Sequence, residues 1–153
     1  MDDDAVVARQ LGRRPRAFRR VVVRCPYGRP AVTEQWAHDS AGEPFPTTYY
    51  LTCPHLVAAI SRLEAAGGVE RWTRAAREDR TLGASLERAT EEQRRLRPEL
   101  PGGIGGSTRS GSLKCLHAHA AFALARPGYE LGERVLAEVE PLWPASGCCT
   151  DAD

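Results

Sequence analysis

Hydrophobic residues form two kinds of pattern along this chain, a short β-branched run and a helical repeat, and each pattern predicts a different kind of element. Residues 21–23 are three successive valines, and a β-branched run of this kind is typical of a strand. The CPYG that follows at 25–28 supplies a turn, with a proline that fixes φ and a glycine that tolerates a positive φ. Val32 and Trp36 continue on a return strand, which completes a predicted β-hairpin. The segment TTYYLTC at 47–53 predicts a third strand.

Beyond the third strand, the apolar positions recur every three or four residues, which is the period of amphipathic helices. Pro54 suits the first position of such a helix, and Gly67 with Gly68 ends it. Pro98 and Pro101 end a later helix. Including one short helix before the hairpin, the pattern predicts helices over about 4–12, 54–66, 69–80, 82–97, 113–125 and 129–139.

This order of elements predicts an α+β fold, with a small antiparallel β-sheet of about three strands packed against a layer of about five helices. The 153 residues fit one domain and show no internal repeat. We therefore expect a single domain over 1–153, with an irregular C-terminal tail from about residue 141.

Charge and composition narrow the class of protein. The formal net charge is +1, so no overall field attracts nucleic acid or an anionic membrane. No apolar run approaches the roughly 18 residues of a membrane helix, and the acidic N-terminus does not resemble a secretory signal. We expect a cytoplasmic protein without membrane contact. All cations but Lys114 are arginines, and their cluster at 13–20 favours a solvated surface over a nucleic-acid patch.

The five cysteines provide the main candidate chemistry. Cys25 and Cys53 each follow a predicted strand, Cys115 follows a loop, and Cys148 and Cys149 lie in the tail. Free backbone N–H groups at such chain reversals stabilise thiolates. Convergence of four sulfurs would suit a zinc ion or an iron–sulfur cluster. No CxxC pair is present, however, so buried or merely reactive thiols without a metal are the alternative.

A second interpretation makes Cys115 a nucleophile in a metal-free thiol enzyme. Lys114 and the helix N-terminus would favour its thiolate. On a helix that begins near residue 113, His119 lies four residues beyond Cys115 on the same face, and it would act as a metal ligand or as the base. His117 is the other candidate for the base. A histidine buried in the helix and bonded to a carbonyl is the competing interpretation.

The glycine-rich segment GGIGGSTRSGS before this helix is a candidate anion-binding loop. A Gly/Ser/Thr loop that leads into a helix N-terminus can surround an anion with backbone N–H groups. The residues that would bind the anion are Gly103, Gly105, Gly106 and Arg109. The spacing matches neither the dinucleotide nor the Walker motif, and a plain flexible connection is the alternative.

Four blocks carry a family resemblance: RCPYGRPAV, PFPTTYYLTCPHLVAAISRLEA, GGIGG and KCLHAHAAFALA, in that order. Over about residues 5–149 the chain resembles the bacterial family catalogued as domain of unknown function number 501. The resemblance implies a small intracellular bacterial protein and brings no fold or reaction with it. The cysteines of the family pattern match Cys25, Cys53, Cys115 and either Cys148 or Cys149.

Together these features predict a metal- or iron–sulfur-binding protein that uses dispersed cysteines, with an open position for a substrate if only three of them bind. The metal-free thiol enzyme is one alternative, and a non-catalytic module that binds a partner is another. The partner is an unspecified small molecule or protein.

Overall fold

The computed structural model describes residues 2–107 and 111–152 and has the predicted α+β fold. Three strands form one antiparallel sheet, in the order β1 (Phe18–Arg24), β2 (Pro30–Gln35) and β3 (Tyr49–Leu51). The pairing places Val21 opposite Thr33 and Val32 opposite Leu51. Every residue of the central strand β2 is buried, so the sheet is covered where its strands meet.

Six α-helices occur in the described residues, and five of them follow the sheet as predicted. They are α1 (Asp3–Leu11), α2 (Pro54–Ala65), α3 (Gly68–Glu78), α4 (Arg80–Leu96), α5 (Leu116–Ala125) and α6 (Glu130–Ala137). Two short 3₁₀ turns occupy Ile104–Gly106 and Cys149–Ala152. None of the helices in the described part of the chain has the length and apolarity that crossing a membrane requires.

Helix α5 lies at the centre of the molecule and contacts β3, α2 and α6. Its residues from Ala118 to Ala123 are all buried, which is the pattern of a helix packed on every side. Phe122 makes edge-on contacts with the rings of Tyr49 and Tyr129, at centroid distances of 5.5 and 5.9 Å. This packing fixes the position of the residues just before α5, which carry the candidate chemistry.

The arginines near the N-terminus are paired with acidic groups. Arg16 lies 2.9 Å from Asp39, and Arg19 and Arg20 lie 3.2 and 3.1 Å from the buried carboxylate of Glu34. These ion pairs neutralise part of the arginine cluster, which agrees with its interpretation as an ordinary solvated surface.

Candidate metal site at the start of helix α5

Three side chains from two helices meet at the start of α5. The ligand atoms of Glu64, Cys115 and His117 all lie within 4.8 Å of one another. Among the His, Cys, Asp and Glu residues of 2–107 and 111–152, no other group of three or more converges in this way. The cluster combines an oxygen, a sulfur and a nitrogen donor, and all three side chains are partly exposed.

An unusual backbone turn sets the position of Cys115. Lys114 has a φ of +64°, and it is the only residue other than glycine with a positive φ among those described. Its neighbours close a tight turn in which the Cys115 N–H donates to the Leu113 carbonyl at 2.6 Å. Cys115 itself is extended, with φ −154° and ψ 129°, and caps the helix that begins at Leu116. Helix α5 therefore starts three residues later than predicted, because the chain makes a turn at Lys114 and is not yet helical there.

Glu64 reaches the cluster from the last turn of α2. One carboxylate oxygen, Oε2, accepts the Leu116 N–H at 2.7 Å and so satisfies a free donor at the start of α5. The other oxygen, Oε1, lies 3.3 Å from Nδ1 of His117. The same carboxylate thus bonds the helix start and, when His117 is protonated, also pairs with its imidazolium.

The His117 ring is held from both sides. Its Nε2 lies 3.2 Å from the Val57 carbonyl and 3.1 Å from the Ser61 hydroxyl. A carbonyl only accepts, so Nε2 carries the proton of the neutral ring and Nδ1 is left with a free lone pair. That Nδ1 lies 3.7 Å from the Cys115 sulfur. The hydrogen bond with Cys115, followed by the charge of Glu64, raises the pKa of His117 against the opposing effect of burial.

The distances within the cluster match those of a tetrahedral zinc site. Zinc bonds of about 2.0–2.1 Å to nitrogen, about 2.0–2.2 Å to oxygen and about 2.3 Å to sulfur place N and O about 3.4 Å apart, and N and S about 3.6 Å apart. The observed separations from Nδ1 are 3.3 Å to oxygen and 3.7 Å to sulfur. Both separations from Nδ1 are therefore those of a tetrahedral zinc site, and the oxygen and the sulfur lie within 4.8 Å of each other.

His119, the histidine that sequence spacing favours, occupies the core. It is 1% exposed, and its Nδ1 lies 2.7 Å from the Tyr129 hydroxyl while Nε2 donates to the Leu113 carbonyl at 3.0 Å. Burial lowers the pKa of His119 to about 4. Both ring nitrogens are thus hydrogen-bonded to core groups. This arrangement is the buried, carbonyl-bonded histidine that was the alternative to a metal ligand or a base.

The remaining cysteines are distributed around the sheet and the tail. Cys53 occupies the N-cap position of α2, and its thiol lies near enough to that of Cys149 to interact with it. Cys25 and Cys148 are buried. No three cysteines in the described residues have sulfurs within 4.8 Å of one another. The cluster of Cys25, Cys53, Cys115 and a tail cysteine thus stays a prediction, while Cys115 itself has Glu64 and His117 as neighbours.

The glycine-rich loop folds largely upon itself. The Gly103 N–H donates to Ser107 at 2.7 Å and the Gly106 N–H to Gly103 at 3.0 Å, so two of the expected anion-binding groups already have partners. Gly105 and Gly106 have φ values of +69° and +77°, and a Cβ on Gly106 would lie 2.9 Å from the Pro46 ring. Packing and backbone conformation therefore explain these glycines. Arg109, the predicted cation of the loop, lies outside the described residues.

Sequence reasoning missed Glu64 as a site residue and gave His119 preference over His117. The sequence does carry a signal for His117, because it lies only two residues from Cys115 in KCLH. It carries none for Glu64, which is separated from the other two by about 50 residues and resembles any other glutamate on a helix surface.

The fold and site define a small α+β protein with a three-donor cluster at the start of its central helix. Residues 21–102, just over half of the chain, match the family described as "Protein of unknown function (DUF501)", and the chain belongs to this family. No curated protein and no solved structure matches the chain. The matched segment includes Cys25, Cys53 and Glu64 and ends before Cys115.

Proposed function

We propose that this protein binds one zinc ion through Glu64, Cys115 and His117 and keeps a fourth position open for water or a substrate. The observation that carries the proposal is the convergence of three different donor atoms at the separations of a tetrahedral site. Three protein ligands with one open position are typical of catalytic zinc, whereas structural zinc has four protein ligands.

The donor set favours zinc over an iron–sulfur cluster. A cluster needs thiolates at most of its positions, and this site offers a single sulfur. Zinc accepts sulfur, nitrogen and oxygen together, so the mixed set is well suited to it. The proposal keeps the predicted metal-binding class and the role of Cys115, and it replaces the other cysteines by Glu64 and His117.

Hydrogen bonds from neighbouring groups to the proposed ligands also support a metal site. Histidines that bind metals generally donate their second ring N–H to a carbonyl or carboxylate, as Nε2 of His117 does to Val57. Ligating carboxylates are likewise held by hydrogen bonds, as Oε2 of Glu64 is by the Leu116 N–H. The side chains of His117 and Glu64 are 25% and 26% exposed, so solvent or a small substrate has access to the open position. Zinc at such a site would polarise a bound water or carbonyl, which supports hydrolytic chemistry.

Metal content and cobalt spectroscopy test the proposal. We expect one zinc per chain, and a cobalt-substituted protein with the near-ultraviolet absorption of a thiolate–cobalt bond. Cys115→Ser should remove that absorption, and Cys115→Ser, His117→Ala and Glu64→Gln should each weaken zinc binding at least about tenfold. The matched control is Cys25→Ser, a cysteine outside the cluster, which should keep both properties. Retention of the thiolate band in Cys115→Ser, or its loss in Cys25→Ser, would contradict the assignment.

The same geometry favours one alternative function, a metal-free thiol enzyme. With Nε2 held by Val57, the lone pair of Nδ1 faces the Cys115 thiol at 3.7 Å and can act as its base. This alternative holds if the purified chain takes up no zinc and iodoacetamide alkylates Cys115 faster than Cys149, with His117→Ala abolishing the difference. If zinc protects Cys115 from alkylation, the metal site is the function to retain.

A further inference from the structure

A second pair of reactive groups lies away from the proposed zinc site, where the tail meets the start of α2. Cys53 caps α2 and is 3% exposed, while Cys149 opens the 3₁₀ turn Cys149–Ala152 and is partly exposed. The turn Cys149–Ala152 packs against α2, and the two thiols are near enough to interact although they are separated by nearly 100 residues of sequence.

Several bonds hold the tail in the position that brings the two sulfurs together. Asp151 forms an ion pair with Arg29 at 2.7 Å, beside the turn between β1 and β2. The hydroxyl of Tyr27, in the same turn, donates to the carbonyl of Pro144. The Gln10 amide of α1 donates to the Thr150 hydroxyl at 3.4 Å. Since these bonds come from two separate parts of the fold, the contact between the thiols does not depend on one interaction.

We propose that Cys53 and Cys149 are a redox-sensitive pair that forms a reversible disulfide upon oxidation by a hydroperoxide. Cys149 is the residue that reacts first, because it is accessible to the oxidant while Cys53 is covered. Cys53 is the resolving residue, because its sulfur already lies against that of Cys149.

The two steps balance. The Cys149 thiolate attacks the peroxide, an S–O bond forms, the O–O bond breaks, and the leaving hydroxide takes up the thiol proton as water. The Cys53 sulfur then attacks the sulfenic acid, the S–S bond forms, and the S–O bond breaks with release of a second water. Two thiols lose two electrons, and one hydrogen peroxide becomes two waters.

The surroundings of Cys53 suit the resolving role. The backbone N–H groups of Leu56 and His55, in the first turn of α2, act to lower the pKa of the Cys53 thiol and so favour negative charge on its sulfur as it attacks. Burial, together with the neighbouring Cys149, raises the pKa of the Cys53 thiol to about 11, so it stays protonated until its partner has been oxidised. The order of events therefore follows from the difference in exposure between the two sulfurs.

Peptide mapping after oxidation tests the pair. In a Cys25→Ser/Cys148→Ser background, Cys53 and Cys149 are the only cysteines in the tryptic peptides 25–62 and 135–153. Hydrogen peroxide should link these two peptides under non-reducing conditions, and dithiothreitol should separate them. The wild-type chain gives the same readout by fragmentation of its linked peptides, so the test survives if the double variant folds poorly.

Thermal unfolding supplies the second readout. A bond that closes a loop of about 100 residues should raise the Tm by about 10 °C, and Cys149→Ser should lose this response while Cys115→Ser keeps it. Cys149 found only as a sulfinic acid, or linked to Cys115 instead of Cys53, would overturn the proposal. So would an oxidised chain with unlinked peptides. None of these outcomes depends on zinc at Glu64, Cys115 and His117, and repetition in the presence of a chelator separates the two proposals.

Discussion

His117 and His119 lie two residues apart and have opposite electrostatic surroundings. His117 is partly exposed beside a carboxylate and a thiol, and its pKa is raised. His119 is enclosed by core groups, and burial lowers its pKa to about 4. One histidine is therefore able to exchange protons or hold a cation near neutral pH, whereas the other stays neutral and serves the packing of α5.

The difference between these histidines has a consequence for acid stability. An unfolded His119 takes up a proton near pH 6.5, whereas the folded residue stays neutral down to about pH 4, so stability falls as the pH decreases through this window. Between pH 7 and pH 5 this residue alone should cost about 2 kcal/mol of unfolding free energy. Urea unfolding of the metal-free wild type and of His119→Gln at both pH values measures it.

His119→Gln is expected to be less stable at pH 7 and to show a smaller decrease towards pH 5. His117 contributes in the opposite direction, because a raised pKa adds stability at low pH, but it is present in both proteins and cancels in the comparison. An equal decrease in the two proteins would show that folding does not change the pKa of His119 and would contradict the prediction.

At the scale of residues, the sequence predicts Cys115 as a site residue and favours His119 as its neighbour, whereas the cluster in the structure contains His117. The choice of His119 assumes that Cys115 belongs to the helix, so that residues four apart share a face. The backbone is extended at Cys115, and helical spacing does not apply across that residue. A local turn made by a lysine with positive φ has no reliable sequence signature, since glycine and asparagine are the usual residues there.

At the scale of elements, α5 and α6 approach closely at one glycine. A Cβ on Gly132 would lie 2.6 Å from the Cβ of Ala123 and 2.8 Å from the His119 carbonyl oxygen. The backbone oxygen of a buried helix has little freedom to move, so the position requires a residue without a side chain.

Gly132→Ala should therefore destabilise the protein by about 1–3 kcal/mol, because the two helices must separate to accept the methyl group. Alanine is the better helix former by about 1 kcal/mol, so the sign of the change distinguishes close packing from intrinsic propensity. Arg134→Ala, at an exposed position of the same helix, is the control and should change stability by less than about 0.5 kcal/mol. A stabilised Gly132→Ala variant would show that α5 and α6 are not in close contact.

The elements themselves were largely predictable. The CPYG turn, the run of valines in the hairpin and the proline at the start of α2 each carry a local physical signal, and the structure has an element at each. The close approach at Gly132 has no such signal in the sequence. A single glycine in a helical pattern only indicates a less stable helix until the residue that packs against it is known.

At the scale of the whole molecule, the tail from about residue 141 packs against the hydrophobic core. Leu142, Trp143 and Cys149 pack against the buried residues, and Asp151 is fastened to Arg29. The sequence predicts an irregular segment from about residue 141 and gives no account of these contacts; within this segment the structure has a 3₁₀ turn at Cys149–Ala152. The ion pair of Arg29 and Asp151 joins residues 122 positions apart, whereas periodicity reports only on neighbours along the chain.

Removal of residues 141–153 should lower the Tm by about 5–10 °C, because two large apolar side chains leave the core surface. It should also accelerate maleimide labelling of Cys53, which the tail covers. Differential scanning calorimetry and mass spectrometry of the labelled peptide measure the two effects. Asp151→Ala removes only an exposed ion pair and should shift the Tm by no more than about 3 °C. An unchanged Tm after truncation would mean that the tail does not pack against the core.

The two oxygens of the Glu64 carboxylate have different partners. One accepts the first amide N–H of α5, and the other lies beside the imidazole of His117. The first amide of α5 gains this acceptor only when α2 packs against α5, and the same packing brings the three donor atoms together. An excised peptide that spans Cys115 and His117 would therefore lack both the Glu64 acceptor and the third donor. The cluster is a property of the assembled chain, and we expect it to be lost whenever the tertiary structure is lost.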